Sequence, residues 1–227
     1  MFFVYLRVIS WIVCPALRND RSNEITQKDS KRVQRSPIIA CWLIDRWLSS
    51  ASLIVLETER LRLRHLSPET DAEFILELLN QPSFIRFIGD KGARNLDDAR
   101  AYVVEGPVKS YQENGFGLYL VELKADATSI GICGIIRRDT LPDADIGFAF
   151  LPQYWNRGYA FESASAIMTY AREALGLDRM LAITTPDNES SARLLAKIGF
   201  RFDRMIRLTP EAPEIRLFTT APPNETV

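Results

Sequence analysis

The 227-residue chain has a single histidine, His65. A Ser-His-Asp triad, a Cys-His pair or a histidine-based metal site would have to be built around it. No other candidates lie near it, so His65 reads as structural, and no metal is expected. Cysteine is nearly as scarce: Cys14, Cys41 and Cys133 are odd in number and show no metal-ligand spacing. Cys133 sits in the apolar run 130–136 and reads as a small buried thiol, and the set as a whole suits a reducing, cytoplasmic setting. Neither a Gly-x-Gly-x-x-Gly nor a Walker pattern occurs, which argues against a nucleotide-phosphate binder such as an ATP or NAD protein. No apolar run reaches the ~20 residues of a membrane span. Residues 1–17 are apolar but contain Arg7, and they lack the basic start and small-residue cleavage site of a signal peptide. An excess of positive charge is missing as well. Residues 1–50 carry eight Lys/Arg against four Asp/Glu, but the formal net charge of the whole chain is -1. The body after residue 50 is therefore slightly acidic and has no footprint for nucleic acid.

What is present divides the chain into three parts. Residues 1–52 combine two short apolar patches with the aperiodic polar stretch 18–36, and they read as an extension outside the fold. Residues 53–220 carry clear periods, and 221–227 form a tail. Alternation over 59–66 predicts a strand, and helical apolar spacing predicts a helix over 72–79 behind Ser67-Pro68-Glu69. Residues 95–114 predict a second helix, capped by Asn95 and kinked at Gly106-Pro107. Three strands follow at 116–123, 130–136 and 146–151, separated by turn-forming stretches. An amphipathic helix over 160–175 stops at Gly176, a short strand covers 180–184, and Gly199 closes a helix over 190–198. Strands at 200–208 and 214–220 complete the chain. The order β-α-α-β-β-β-α-β-α-β-β predicts an α/β (mixed α+β) domain: a mixed, mainly antiparallel sheet with helices on both faces.

The most informative stretch is IGFAFLPQYWNRGYAFESA, residues 146–164. An apolar strand runs out at Leu151-Pro152, and a loop holding Trp155, Asn156, Arg157, Gly158, Tyr159 and Ala160 leads straight into a helix. Successive backbone N–H groups feeding a helix start make an anion site. Gly158 lacks a Cβ, so main chain can approach a phosphate there, and the small Ala160 allows the same in the first turn. By itself the pattern fits a plain strand-to-helix turn equally well. A second stretch, TPDNESSARLLAKIGF at 185–200, starts another helix at Asn188 and Ser191, with Asn188 as its cap. Two helix starts after two neighbouring strands would flank one crevice at the strands' carboxyl ends.

These stretches, together with LETERLRLRHL at residues 56–66, resemble the GNAT acetyltransferases, in particular the branch containing the ribosomal-protein N-terminal acetyltransferases. The resemblance spans about residues 53–220. It departs from the usual superfamily loop, Gln/Arg-x-x-Gly-x-Gly/Ala, in having Trp155 at the Gln/Arg position, as that branch commonly does. It implies a V-shaped splay between two strands and acetyl-CoA as cosubstrate. Amides of residues 155–160 would hold the pyrophosphate, main chain near Phe148, Ala149 and Phe150 the pantetheine arm, and Asn188 with Ser191 its other side. The reaction implied is direct attack of an amine on the thioester. The acceptor would be a protein or peptide N-terminal α-amine or a small-molecule amine, and the protein a monomer or homodimer. Asp145 lies where the branch often places a carboxylate, although the LPDAD context also suits a solvated turn. Glu162 reads as a first-turn carboxylate favoured by the helix dipole. The frequent tyrosine acid has no match, since Phe200 and Phe202 occupy its region, which leaves the thiolate to be protonated by solvent. A non-catalytic acyl-CoA sensor is the alternative.

Overall fold

The computed structural model describes residues 53–220, so the expectations for 1–52 and 221–227 lie outside the described residues. Eight strands form one sheet: β1 (Ile54–Glu57), β2 (Leu61–Arg64), β3 (Leu118–Leu123), β4 (Ser129–Ile136), β5 (Asp145–Phe150), β6 (Leu181–Thr184), β7 (Arg201–Ile206) and β8 (Ile215–Thr219). Their spatial order is β1-β2-β3-β4-β5-β6-β8-β7. Every neighbouring pair is antiparallel except β5 and β6. The mixed, mainly antiparallel sheet expected from the element order is therefore observed.

Helices cover both faces. On one, α5 (Tyr159–Glu173) packs Ala164, Ile167 and Ala171 against Ile130, Ile135, Ile146 and Phe150. The spacing of those three residues puts them on one helical stripe. On the other face, α1 (Ala72–Leu79) and α3 (Leu96–Val103) bury Ile75, Leu78, Leu79, Ala99 and Val103 with Leu120, Ile132 and Leu151. The last helix, α6 (Glu189–Lys197), is short and buries Leu195. Strand β5 serves both cores by alternation, with Ile146 and Phe150 facing α5, and Ala149 and Leu151 facing α1 and α3.

Three features add to the element order read from the sequence. The strand expected over 59–66 is the second half of a hairpin. β1 precedes it, and Thr58 N–H donates to the Leu61 carbonyl across the turn. Residues 82–87, to which the sequence assigned no element, form α2 (Pro82–Phe87), with the proline at its first position, where its missing N–H costs nothing. The expected kink at Gly106-Pro107 is a π-helical segment, Val104–Val108, which carries α3 into α4 (Lys109–Asn114) without a break. Widening one turn accommodates a proline that cannot donate.

A buried ion network fixes the start of the domain. Arg64 donates Nη1 and Nη2 to the two oxygens of Asp71 at 2.8 Å each, and Nε to Glu122 at 2.7 Å. All three residues are buried. The bidentate fork ties β2 to the turn before α1, and the third bond ties it to β3. His65 stacks on Tyr111 at 3.9 Å between ring centroids, in a column with Tyr119, which agrees with its structural reading.

Candidate active site

The two strands that flank the site touch at one point. β5 and β6 run parallel, and their only register pair is Asp145 with Leu181. Beyond it they part, which leaves a V that opens toward the carboxyl ends. Hydrogen-bond parity shows which groups line it. Leu151 N–H bonds to Ile130 on β4, whereas the Ala144 carbonyl accepts from Leu181 on β6. Odd positions of β5 therefore pair with β4, and the main-chain groups of Phe148 and Phe150 face the V. Ala149 turns its main chain toward β4 instead. Of the three residues expected near an arm, Phe148 and Phe150 turn their main chain to the V and Ala149 does not.

At the wide end, Pro152–Tyr154 forms one 3-10 turn and the loop follows. The Trp155 N–H is used within it, on the Pro152 carbonyl at 3.1 Å, while the Trp155 indole donates to the Phe150 carbonyl at 2.8 Å. Asn156 (φ 57) and Gly158 (φ 82) both take left-handed backbone, and Gly158 caps α5. From Asn156 to Phe161 the N–H groups find no acceptor among the described residues. That row of unspent donors at a helix start is an anion cradle. Of the amides expected at 155–160 to hold a pyrophosphate, that of Trp155 is spent within the turn and those from Asn156 to Ala160 remain without an acceptor among the described residues.

Across the V, the Asn188 side chain caps α6, its Oδ1 accepting from the Ser191 N–H at 3.1 Å and the Ser190 hydroxyl at 3.0 Å. The cap uses the oxygen and leaves the amide N–H groups to give to a ligand. Beside it, Asp187 pairs with Arg86 of α2 at 2.8 Å, joining that unforeseen helix to the same loop.

At the narrow end stands Asp145, 1% exposed and the first residue of β5, so it is not a solvated turn residue. Its Oδ1 accepts from Arg138 Nε at 2.9 Å, and its buried Oδ2 has no partner among the described residues. Burial pushes its carboxyl up to about 6, against the opposing charge of Arg138. Close by is a pocket of about 410 Å³, lined by Lys91, Gly92, Asp98, Tyr102 and Glu105 among others. Burial raises the Tyr102 hydroxyl, with the Arg138 charge working against it, so pocket and ion pair share one electrostatic neighbourhood.

Glu162 does more than sit at the positive end of a helix. It accepts from Thr58 Oγ1 at 2.5 Å, from the Arg60 main-chain N–H at 2.9 Å and from Arg60 Nε at 2.7 Å. Burial would raise its carboxyl, but these bonds hold it below the ordinary range. Thr58 and Arg60 belong to the 56–66 motif, but nothing local in the sequence shows that they meet a residue a hundred positions later. Arg138 was missed for a similar reason, as it stands in an irregular turn. Among the described residues, no cluster of His, Cys, Asp or Glu could hold a metal ion, and no helix is long and apolar enough to cross a membrane.

Comparison with known proteins agrees with this geometry. The chain is 30% identical over 155 residues to the uncharacterized N-acetyltransferase YoaA of Bacillus subtilis, covering 67% of this chain and 86% of that one. An acetyltransferase structure from Agrobacterium tumefaciens superposes with a TM-score of 0.62 at 26% identity, over 74% of this chain and 95% of the other. The ribosomal-protein α-N-acetyltransferase RimL in complex with coenzyme A shares the fold, with a TM-score of 0.59 at 14% identity, over 73% of this chain and 96% of its own. The acetyltransferase (GNAT) domain family matches residues 60–201, and the chain belongs to that family.

Proposed function

We propose that the protein is an acetyl-CoA-dependent N-acetyltransferase that acts on primary amines by direct attack. The observation that carries this reading is the splay of β5 from β6 after one register pair, with an anion cradle at its wide end and a buried carboxylate at its narrow end. An extended arm laid along β5 would pair with the main chain of Phe148 and Phe150 as an extra strand. From Phe150 to Asp145 the strand rises roughly 17 Å at about 3.3 Å per residue. The pyrophosphate would rest on the N–H groups from Asn156 onward, with Arg157 adding charge, and Asn188 and Ser191 would close the other side.

The chemistry follows from that placement. A neutral amine adds to the thioester carbonyl toward the narrow end, and the developing oxyanion accepts from the β5 main-chain N–H facing the V nearest to it. The C–S bond then breaks, the amine proton leaves to Asp145 directly or through water, and solvent protonates the departing thiolate. A carboxyl titrating at about 6 is ionised at neutral pH and still basic enough to accept that proton. A buried carboxylate with one free oxygen also favours turnover over the sensor alternative, which has no use for a base.

Such a base suits amines that are already partly neutral. An α-amine near pKa 8 is about one-quarter neutral at pH 7.5, whereas a lysine side chain near 10.4 is almost wholly charged. The acceptor class expected is therefore a peptide or amino-acid α-amine. The test is thiol release from acetyl-CoA with two peptides, one with a free N-terminus and acetylated lysine, the other the reverse. Faster release with the free N-terminus is expected. Preference for the free lysine would overturn the acceptor class, and no release with any amine in a broad panel would overturn turnover itself.

A further inference from the structure

The pyrophosphate loop is held from below by residues far away in sequence. Arg60 lies in the β1–β2 turn, and its Nη1 donates to the Arg157 carbonyl at 3.1 Å. Its Nε and Nη2 both reach Glu162 Oε2 at 2.7 Å, and its guanidinium lies over the Tyr159 ring at 4.6 Å. Thr58 Oγ1 and the Arg60 N–H take the second carboxylate oxygen of Glu162. Four contacts thus converge on one guanidinium, on a side chain 44% exposed, that bridges the β1–β2 turn, the loop and the first turn of α5. A Cβ added at Gly158 would stand 3.3 Å from Nη2, so the loop passes directly over the cation.

The covalent geometry of the peptide gives this clamp a consequence at the site. The C=O and N–H of one trans peptide point in opposite directions. With the Arg157 carbonyl drawn inward to Arg60, the N–H of Gly158 in the same peptide plane points outward. Arg60 also neutralises Glu162, a carboxylate that would otherwise stand in the first helical turn and repel an incoming phosphate.

We propose that Arg60, anchored by Glu162 and Thr58, is a positioning residue for coenzyme A, fixing the Arg157–Gly158 peptide so that its N–H meets the pyrophosphate. This rests on the acetyl-CoA reading above and extends it to residues on the first hairpin. Each of its three nitrogens already reaches Glu162 or Arg157, and the role assigned to Arg60 is to act through the loop rather than by touching the ligand. It should therefore matter for the phosphate-bearing end of the coenzyme and not for the pantetheine arm.

The experiment is calorimetric titration of wild type, Arg60→Gln, Arg60→Lys and Glu162→Gln with coenzyme A and with pantetheine, which lacks the pyrophosphate. Circular dichroism and melting curves would establish that each variant is folded. Arg60→Gln should weaken coenzyme A binding roughly ten- to a hundredfold, the range for lost charge-assisted hydrogen bonds, and change pantetheine affinity by no more than about twofold. Arg60→Lys should rescue little, because an ammonium cannot fork between Glu162 and a carbonyl. Glu162→Gln keeps the Arg157 contact and should fall in between, and it serves as the test if Arg60→Gln does not fold. Wild-type affinity for coenzyme A in Arg60→Gln would overturn the proposal, as would an equal loss for both ligands. A wild-type protein that binds coenzyme A without releasing thiol would overturn turnover alone and leave this measurement valid. One that binds no coenzyme A would overturn both readings.

Discussion

Replacing Asp145 by Asn removes the negative charge at the narrow end of the splay and keeps an oxygen for Arg138. The wild-type carboxyl is buried, shares one oxygen with Arg138 Nε at 2.9 Å and titrates at about 6. Above that pH it is ionised and can take a proton, and below it the base is progressively lost. For an α-amine substrate, kcat/KM should then depend on two titrations, that of the amine near 8 and that of Asp145 near 6. Between these values log kcat/KM rises with a slope of about one per pH unit, and below about 6 the slope steepens to about two. In Asp145→Asn the steeper limb should vanish, leaving a slope of about one down to the lowest pH at which the protein is folded. At pH 7.5 the variant should be slower by about tenfold, less than the ~100-fold at which the general-base range begins, because part of the amine is already neutral. Thiol-release kinetics from pH 5 to 9 read both quantities, with a melting curve at each pH to confirm folding. A variant that kept the steeper limb, or matched wild type at pH 7.5, would refute the assignment of Asp145 as proton acceptor.

Two further substitutions test the scaffold. Arg64→Met would leave Asp71 and Glu122 buried without their cation, at a cost of about 3–5 kcal/mol, and should lower the melting temperature by on the order of 10 °C. Trp155→Phe deletes the indole donor to the Phe150 carbonyl and should weaken coenzyme A binding a few-fold, about 1 kcal/mol by calorimetry, with the melting temperature nearly unchanged because the residue is 45% exposed.

The parts of this molecule that could be read from sequence are those whose signal is local. Helix α5 declares itself through Ala164, Ile167 and Ala171 on one stripe, and the cradle through Gly158 at a strand-to-helix junction. Asn188 as a cap needs only its own three-residue reach to Ser191. The signals that were missed are either too short or too distant. β1 is four residues long, too brief to show a period, and exists because β2 pairs with it. α2 is six residues long and rests on Pro82 and a buried Phe84 rather than on an apolar stripe. Burial of Asp145 could not be told from a polar turn, since its neighbours in LPDAD are turn formers and the cover comes from elsewhere in the fold. Arg60 and Glu162 meet only once the hairpin is laid beside the start of α5.

The cradle's role as the seat of coenzyme A is tested most directly by calorimetry of wild type and Gly158→Asp. The substitution puts a carboxylate on main chain that must approach a phosphate, and a Cβ on a residue held at φ 82 beside Arg60. The account predicts that wild type binds coenzyme A and that the folded variant shows no measurable binding. Equal affinity in the two proteins, or no binding by wild type, would contradict it.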